Sequence, residues 1–456
     1  MGRGYISHDM SQKNPGSRAD VSPASELGVR EAALQKERSG LKRFFKILGP
    51  GLIVGASDDD PSGIGTYAVA GASLGYSTLW TMIVLLPMMA AVQFICSRIG
   101  LVTGKGLGAL LRTQFPSFIA YPAVIALVIA NSINAGADIG AIGAALNLLV
   151  PVPIVALIVP VAALLLVLQI WGSYRTIATV FKWLTLALFA YIGAAFFAHP
   201  NFREVLRSTF VPHLSLDPNY LTTLVAIIGT TISPYMFFWQ ATQEVEEDIS
   251  LGRKYLSQRK GTTDAELTYA AWDVGIGMFF SQVVAYFIIL ATAATLFKAG
   301  HTNIATAADA ARALEPLAGR WAALLLAFGL IGAGFLAVPI LTGSSAYAMS
   351  EAFGWKFGFD KHPGRAPQFY GVIALSTIVG IELNFVGISP IQALYWTAVI
   401  NGCLAPLLLV LIMLVSGNRK VMGERVHTPL LGFLGWLTTA AMLLAVIVTI
   451  LTAHKG

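Results

Sequence analysis

Three consecutive aspartates, Asp58-Asp59-Asp60, run directly into Pro61-Ser62-Gly63 inside an otherwise apolar stretch. Each carboxylate at the middle of a lipid-facing helix would cost about 2.5–3.5 kcal/mol. Pro61 has no N–H for a helix ladder, and Gly63 tolerates dihedrals that other residues avoid. The economical arrangement is a helix interrupted near mid-membrane, its free carbonyls and carboxylates facing a polar cavity. Gly229-Thr230-Thr231-Ile232-Ser233-Pro234-Tyr235-Met236 repeats the device, with Pro234 173 residues after Pro61. Together the two stretches offer Asp58, Asp59, Asp60, Ser62, Thr230, Thr231, Ser233 and backbone oxygens. Such oxygens suit hard cations, Mg²⁺, Ca²⁺ and Mn²⁺, whereas thioether and imidazole favour softer ones. All seven histidines fall in expected loops, tails or span ends. Met236, three residues past Ser233, is expected to point elsewhere.

Asp60 is the expected direct ligand of such an ion. Asp59 reads as a second ligand or as a vestibule charge that concentrates cations, and Asp58 as a carboxylate at a helix end or cavity wall. Asp138, in the third apolar segment, either lines a polar pathway or is a structural carboxylate bonded to Asn131 or Asn134. Asp273 and Glu382 are expected to face water near span ends. The run Glu244, Glu246, Glu247, Asp248 reads as the solvated end of the sixth helix, with an acidic exit funnel as the alternative. Trp239 reads as packing and Gln240 as a polar group supporting the site.

The elements that must position these residues are membrane helices. The chain has 456 residues, of which 56% are apolar and 12% charged, against about 25% charged in soluble domains. Eleven hydrophobic segments are expected at about 45–70, 74–98, 117–150, 152–171, 175–198, 219–243, 265–297, 319–350, 367–386, 389–416 and 430–453. Residues 1–41 form a polar tail, expected to be disordered and cytoplasmic, and 42–456 a single transmembrane domain. With that tail inside, 24 of the 30 lysines and arginines fall on the cytoplasmic side, as the positive-inside rule requires for an odd number of spans. The C-terminus is then outside, and the expected location is the plasma membrane. The net charge of +6 thus reflects loop asymmetry and calls for no nucleic-acid partner. Cys96 and Cys403 exclude a disulfide scaffold, and no CxxC or HExxH pattern occurs. No nucleophile–base pair or phosphate loop supports an enzyme, and no cofactor is expected.

Five segments begin with the first break and five more with the second. Paired interruptions in two halves point to an inverted-repeat transporter with its substrate site between the breaks; the plainer alternative is two ordinary Pro kinks. The chain also resembles the Nramp family of divalent-metal transporters from about Gly49 to Gly423. Gly49-Pro50-Gly51 opens the first helix as in that family. Asp60-Pro61-Ser62-Gly63 stands where Nramps carry Asp-Pro-Gly-Asn, and Ser233-Pro234-Tyr235 where they carry Met-Pro-His. Asp138-Ile139-Gly140-Ala141-Ile142-Gly143 is similar to their Asp-Leu-Ala-Glu-Val-Gly, and Asn418-Arg419-Lys420-Val421-Met422-Gly423 to the basic end of their tenth helix. The resemblance implies an all-α integral membrane protein of the LeuT type. It would have two inverted five-helix repeats (about 45–198 and 219–416), broken helices 1 and 6, and an eleventh helix.

It also implies a metal locus at Asp60, Gly63, Ser233 and Thr230, of which only Asp60 keeps the family's residue. The family's Asn is Gly63, its Met is Ser233, the ligand carbonyl maps to Thr230, its proton-handling His is Tyr235, and the third-helix Glu is Ala141. That pattern resembles the Nramp-related magnesium transporters. Losing the Asn and Met side chains leaves a larger, oxygen-lined space, suited to an ion that dehydrates reluctantly, as Mg²⁺ does. The rival readings are a proton-coupled Mn²⁺/Fe²⁺ carrier and an amino-acid or organic-cation carrier. The aspartates of the first break would repel a substrate carboxylate, which disfavours an amino acid.

Overall fold

The computed structural model describes residues 50–172, 186–304 and 306–453. The expected tail and the first part of the fifth segment lie outside the described residues. The helices that position the site are α1 (Pro50–Asp58), α2 (Pro61–Leu74), α3 (Leu79–Thr103), α4 (Leu107–Gln114), α5 (Ser117–Leu149) and α6 (Ile154–Trp171). They continue with α7 (Ala190–Phe197), α8 (Phe202–Phe210), α9 (Pro218–Thr231), α10 (Pro234–Ser250) and α11 (Asp264–Thr292). The last are α12 (Ala322–Phe353), α13 (Pro367–Glu382), α14 (Pro390–Ser416) and α15 (Pro429–Ala453). Among the described residues nine stretches are long and apolar enough to cross a membrane. One of them, Pro61–Thr103, holds the second half of the first expected segment together with the whole of the second. Hydropathy did not signal α4 and α8, because helices of 8 and 9 residues are too short to register as spans.

Both expected interruptions are present, and one local rule makes them. Asp60 is extended (φ −69°, ψ 167°) and Pro61 opens α2. Ser233 is likewise extended (φ −79°, ψ 136°) and Pro234 opens α10. A residue before proline is pushed out of the α region, and proline is preorganised for the first helical position.

Part of the packing repeats between the two halves. α2 lies along α11 and α10 along α3, which is the same contact in each repeat, while α5 and α12, third members of their repeats, form the most extensive pair. α1 reaches α11 closely because both present glycine: a Cβ at Gly55 would fall on the Gly277 backbone. Small residues are how membrane helices approach when no hydrophobic force separates lipid from protein. Gly55→Val should therefore lower the thermal unfolding midpoint in detergent, by the equivalent of about 1–3 kcal/mol of overpacking. A variant that melts with the parent would mean α1 does not dock through this glycine pair.

Candidate metal centre

At the first break the three aspartates diverge. Asp60 caps α2, accepting the Gly63 amide on Oδ1 at 2.6 Å. Its Oδ2 accepts from Asn134 Nδ2 of α5 at 3.2 Å and lies 3.5 Å from the Tyr235 hydroxyl of α10. Asp58 and Asp59 turn the other way, to α11: the Ser281 hydroxyl donates to Asp58 and lies 3.4 Å from Asp59 Oδ1. Among the described residues no three His, Cys, Asp or Glu side chains gather into one cluster. Asp59 thus faces Ser281 of α11, while Asp60 faces Asn134 of α5.

The second break closes on the first. Tyr235 donates to the Ser57 carbonyl at the end of α1 at 3.0 Å. Thr230 and Ser62 hydroxyls stand 3.4 Å apart, and Tyr67 and Thr231 hydroxyls 2.8 Å apart. Ser233 does not aim its proton into the gap. Its hydroxyl bonds the carbonyls of Gly229 and Thr230, each at 2.8 Å, capping the end of α9. The Thr230 carbonyl is thus already engaged, and Gly63 contributes an N–H donor in a tight setting, where a Cβ would meet the Asp58 carbonyl at 3.1 Å. Each half-helix ends with carbonyls at the negative pole of its dipole, where a cation is favoured. Asp58, Asp59, Asp60, Ser62, Thr230, Ser233 and Tyr235 are all buried, so the locus is closed to solvent.

Several expectations change. Asp138 is bonded to neither Asn131 nor Asn134: it is buried beside the Ser62 amide, and no side chain donates to either of its oxygens. Asp273 does not face water. It is buried and accepts the Gly51 amide at 2.6 Å, tying the start of α1 to α11. Glu244 and Asp248 are likewise not a solvated end. Glu244 is buried and accepts from Ser97 at 2.8 Å and from Gln240 at 2.9 Å. Gln240 thus serves Glu244, one turn further along α10, rather than Asp60. Asp248 and Glu266 hold a buried Arg253 between them at 3.0 and 2.7 Å. In each case a carboxylate near a span end found a buried donor on another helix or in a connecting loop, which a hydropathy profile cannot register. Of the residues now at the site, Asn134 and Ser281 carried only a weak signal, a polar side chain within an apolar helix. The five described histidines all lie in loops.

The family model described as Nramp, natural resistance-associated macrophage protein-like, matches residues 51–452. The chain belongs to the Nramp family. It is similar to divalent metal cation transporters MntH from Erwinia tasmaniensis and Yersinia pestis. Each is 27% identical over 415 residues, which is 89% of this chain and 94% and 95% of theirs. Among solved structures it is similar to the Eremococcus coleocola manganese transporter crystallised with an aromatic bis-isothiourea compound. That likeness has a TM-score of 0.72 at 18% identity and covers 90% of this chain and 87% of that one. Mhp1, a nucleobase-cation-symport-1 transporter, follows at TM-score 0.56 and 14% identity, covering 90% and 93%. At such identities the likeness speaks to fold, and it agrees with the LeuT-type inverted repeat read from this Nramp chain. The chain is a multi-pass membrane protein.

Proposed function

We propose that this Nramp-family chain carries a hard divalent cation, Mg²⁺ before Mn²⁺, in partly hydrated form and without obligatory proton coupling. Divalent-metal transport goes with the family. The choice of Mg²⁺ rests on one observation: where the two broken helices meet, Asp60 is the carboxylate, held by the Gly63 and Asn134 amides, and the other groups at the junction are the hydroxyls of Ser62, Thr230 and Tyr235 and the Ser57 carbonyl. Hard oxygens and one charge suit an ion that keeps part of its water. The chain is placed in the plasma membrane, N-terminus cytoplasmic and C-terminus outside, in keeping with its basic loops. A second reading, an ordinary manganese carrier, is favoured by the relatives' names, which are those of divalent-metal and manganese transporters.

Proton coupling needs a titratable group that changes state during the cycle. Tyr235, which replaces the family His, is a phenol that keeps its proton near neutral pH and spends it on the Ser57 carbonyl. Ala141 replaces the third-helix Glu. A divalent ion moving inward already gains about 4.6 kcal/mol per 100 mV. The test is flux into proteoliposomes of Mg²⁺, Mn²⁺ and Ca²⁺ with a pH dye in the lumen. Mg²⁺ should enter with the membrane potential and leave lumen pH unchanged. Acidification that tracks Mg²⁺ entry, and disappears without Mg²⁺ or in Asp60→Ala, would overturn this reading and single out Asp138 as the proton carrier.

A further inference from the structure

Asn131, Asn134 and Asp138 follow one another on α5 at spacings of three and four, which places them on one face of the helix. All three are 0% exposed. Asn131 Nδ2 donates to the Leu341 carbonyl at 3.3 Å and the Ser345 hydroxyl at 3.1 Å, both on α12. Asn134 Nδ2 donates to Asp60 Oδ2 at 3.2 Å. A carbonyl and a carboxylate only accept, so these partners determine which end of each amide is nitrogen. Left on this face are Asn131 Oδ1, Asn134 Oδ1 and the carboxylate of Asp138: no side chain donates to any of them, and the one donor beside Asp138 is the Ser62 amide at the start of α2. A buried acceptor without a donor costs about 1–3 kcal/mol, and several on one face call for a common explanation. The face adjoins the metal locus: Asn134 touches Asp60, and Asp138 lies within electrostatic reach of both Asp60 and Tyr235.

We propose that this face of α5 is the outer-sphere half of the cation site, receiving the water hydrogens of a hydrated divalent ion whose direct ligand is Asp60. A hydrated cation shows its surroundings only O–H donors. Its complement is a wall of acceptors with no donors of their own, which is what Asn131, Asn134 and Asp138 present. A bare ion would need such oxygens at about 2.1 Å; a water between ion and wall lets the more distant oxygens take part. The inference rests on Asp60 as ligand and goes further, naming the hydrated ion as the recognised species and the residues that select it.

Hexaamminecobalt(III) is the probe: its ligands do not exchange, so it meets Asp60 and the α5 face alike through N–H donors and isolates the outer-sphere half of recognition. In proteoliposomes it should compete with Mg²⁺ in the parent protein. Asp138→Leu should weaken that competition about tenfold or more, the worth of one or two hydrogen bonds to a charged group, and should weaken Mn²⁺ binding less. Asp138→Asn, which keeps the shape and one acceptor, should fall between the two and serves if the leucine variant does not fold. Absence of competition in the parent overturns the proposal. So does competition that is unchanged in the Asp138 variants, or a loss equal for the cobalt complex and Mn²⁺. Mg²⁺ flux that survives Asp60→Ala would instead remove the underlying reading of Asp60, a result that the probe experiment cannot mimic.

Discussion

Asp60→Ala abolishes uptake of every divalent ion while the protein still folds and inserts. Asp60 is the charged group that both broken helices reach, through the Gly63 amide on one side and Tyr235 on the other. Loss of a charge-assisted ligand worth about 3 kcal/mol lowers flux about a hundredfold. The same side chain also caps α2, so alanine additionally costs about 1 kcal/mol of helix-end stability. Asp60→Asn separates the two roles. Asparagine caps a helix about as well as aspartate but brings no charge, so it should melt with the parent and still fail to transport. Elution as a single folded species, with tracer flux measured in the same preparation, checks both halves. Normal Mg²⁺ flux in Asp60→Asn would remove the carboxylate from the site.

Ser233→Met combined with Gly63→Asn turns preference toward Mn²⁺ and Cd²⁺ and weakens Mg²⁺ transport, by about tenfold in the ratio, or ~1.4 kcal/mol. Methionine replaces a hydroxyl that caps the Gly229 and Thr230 carbonyls. It therefore both adds a soft thioether and frees the Thr230 carbonyl. A Cβ at Gly63 would stand 3.1 Å from the Asp58 carbonyl and 3.4 Å from Thr230 Oγ1 and the Tyr67 ring. An asparagine there therefore crowds the junction of the two breaks. Less room for water and a softer ligand act in one direction. Flux ratios for Mg²⁺, Mn²⁺ and Cd²⁺ measured side by side decide it. An active double variant with parental ratios would show that ligand identity at the second break is not the filter.

Much of this architecture was legible in the chain because its causes are local. A residue before proline is driven out of the helix wherever it occurs, so Asp60-Pro61 and Ser233-Pro234 announced both breaks, and their spacing announced the repeat. Span positions followed from hydropathy over a membrane-length window, and the hardness of the donors from their identities. Side-chain direction at the breaks was not legible. Asp58, Asp59 and Asp60 are neighbours in sequence, yet two face Ser281 of α11 and one faces Asn134 of α5. Ser233 read as a ligand, and the last carbonyls of α9, the half-helix before it, took its proton. Asp273 read as water-facing, and it accepts instead from the Gly51 amide, 222 residues away. Where helices from the two repeats converge, a polar group's partner comes from another helix. Only the tertiary structure decides which helix that is, because burial leaves no water to stand in for it.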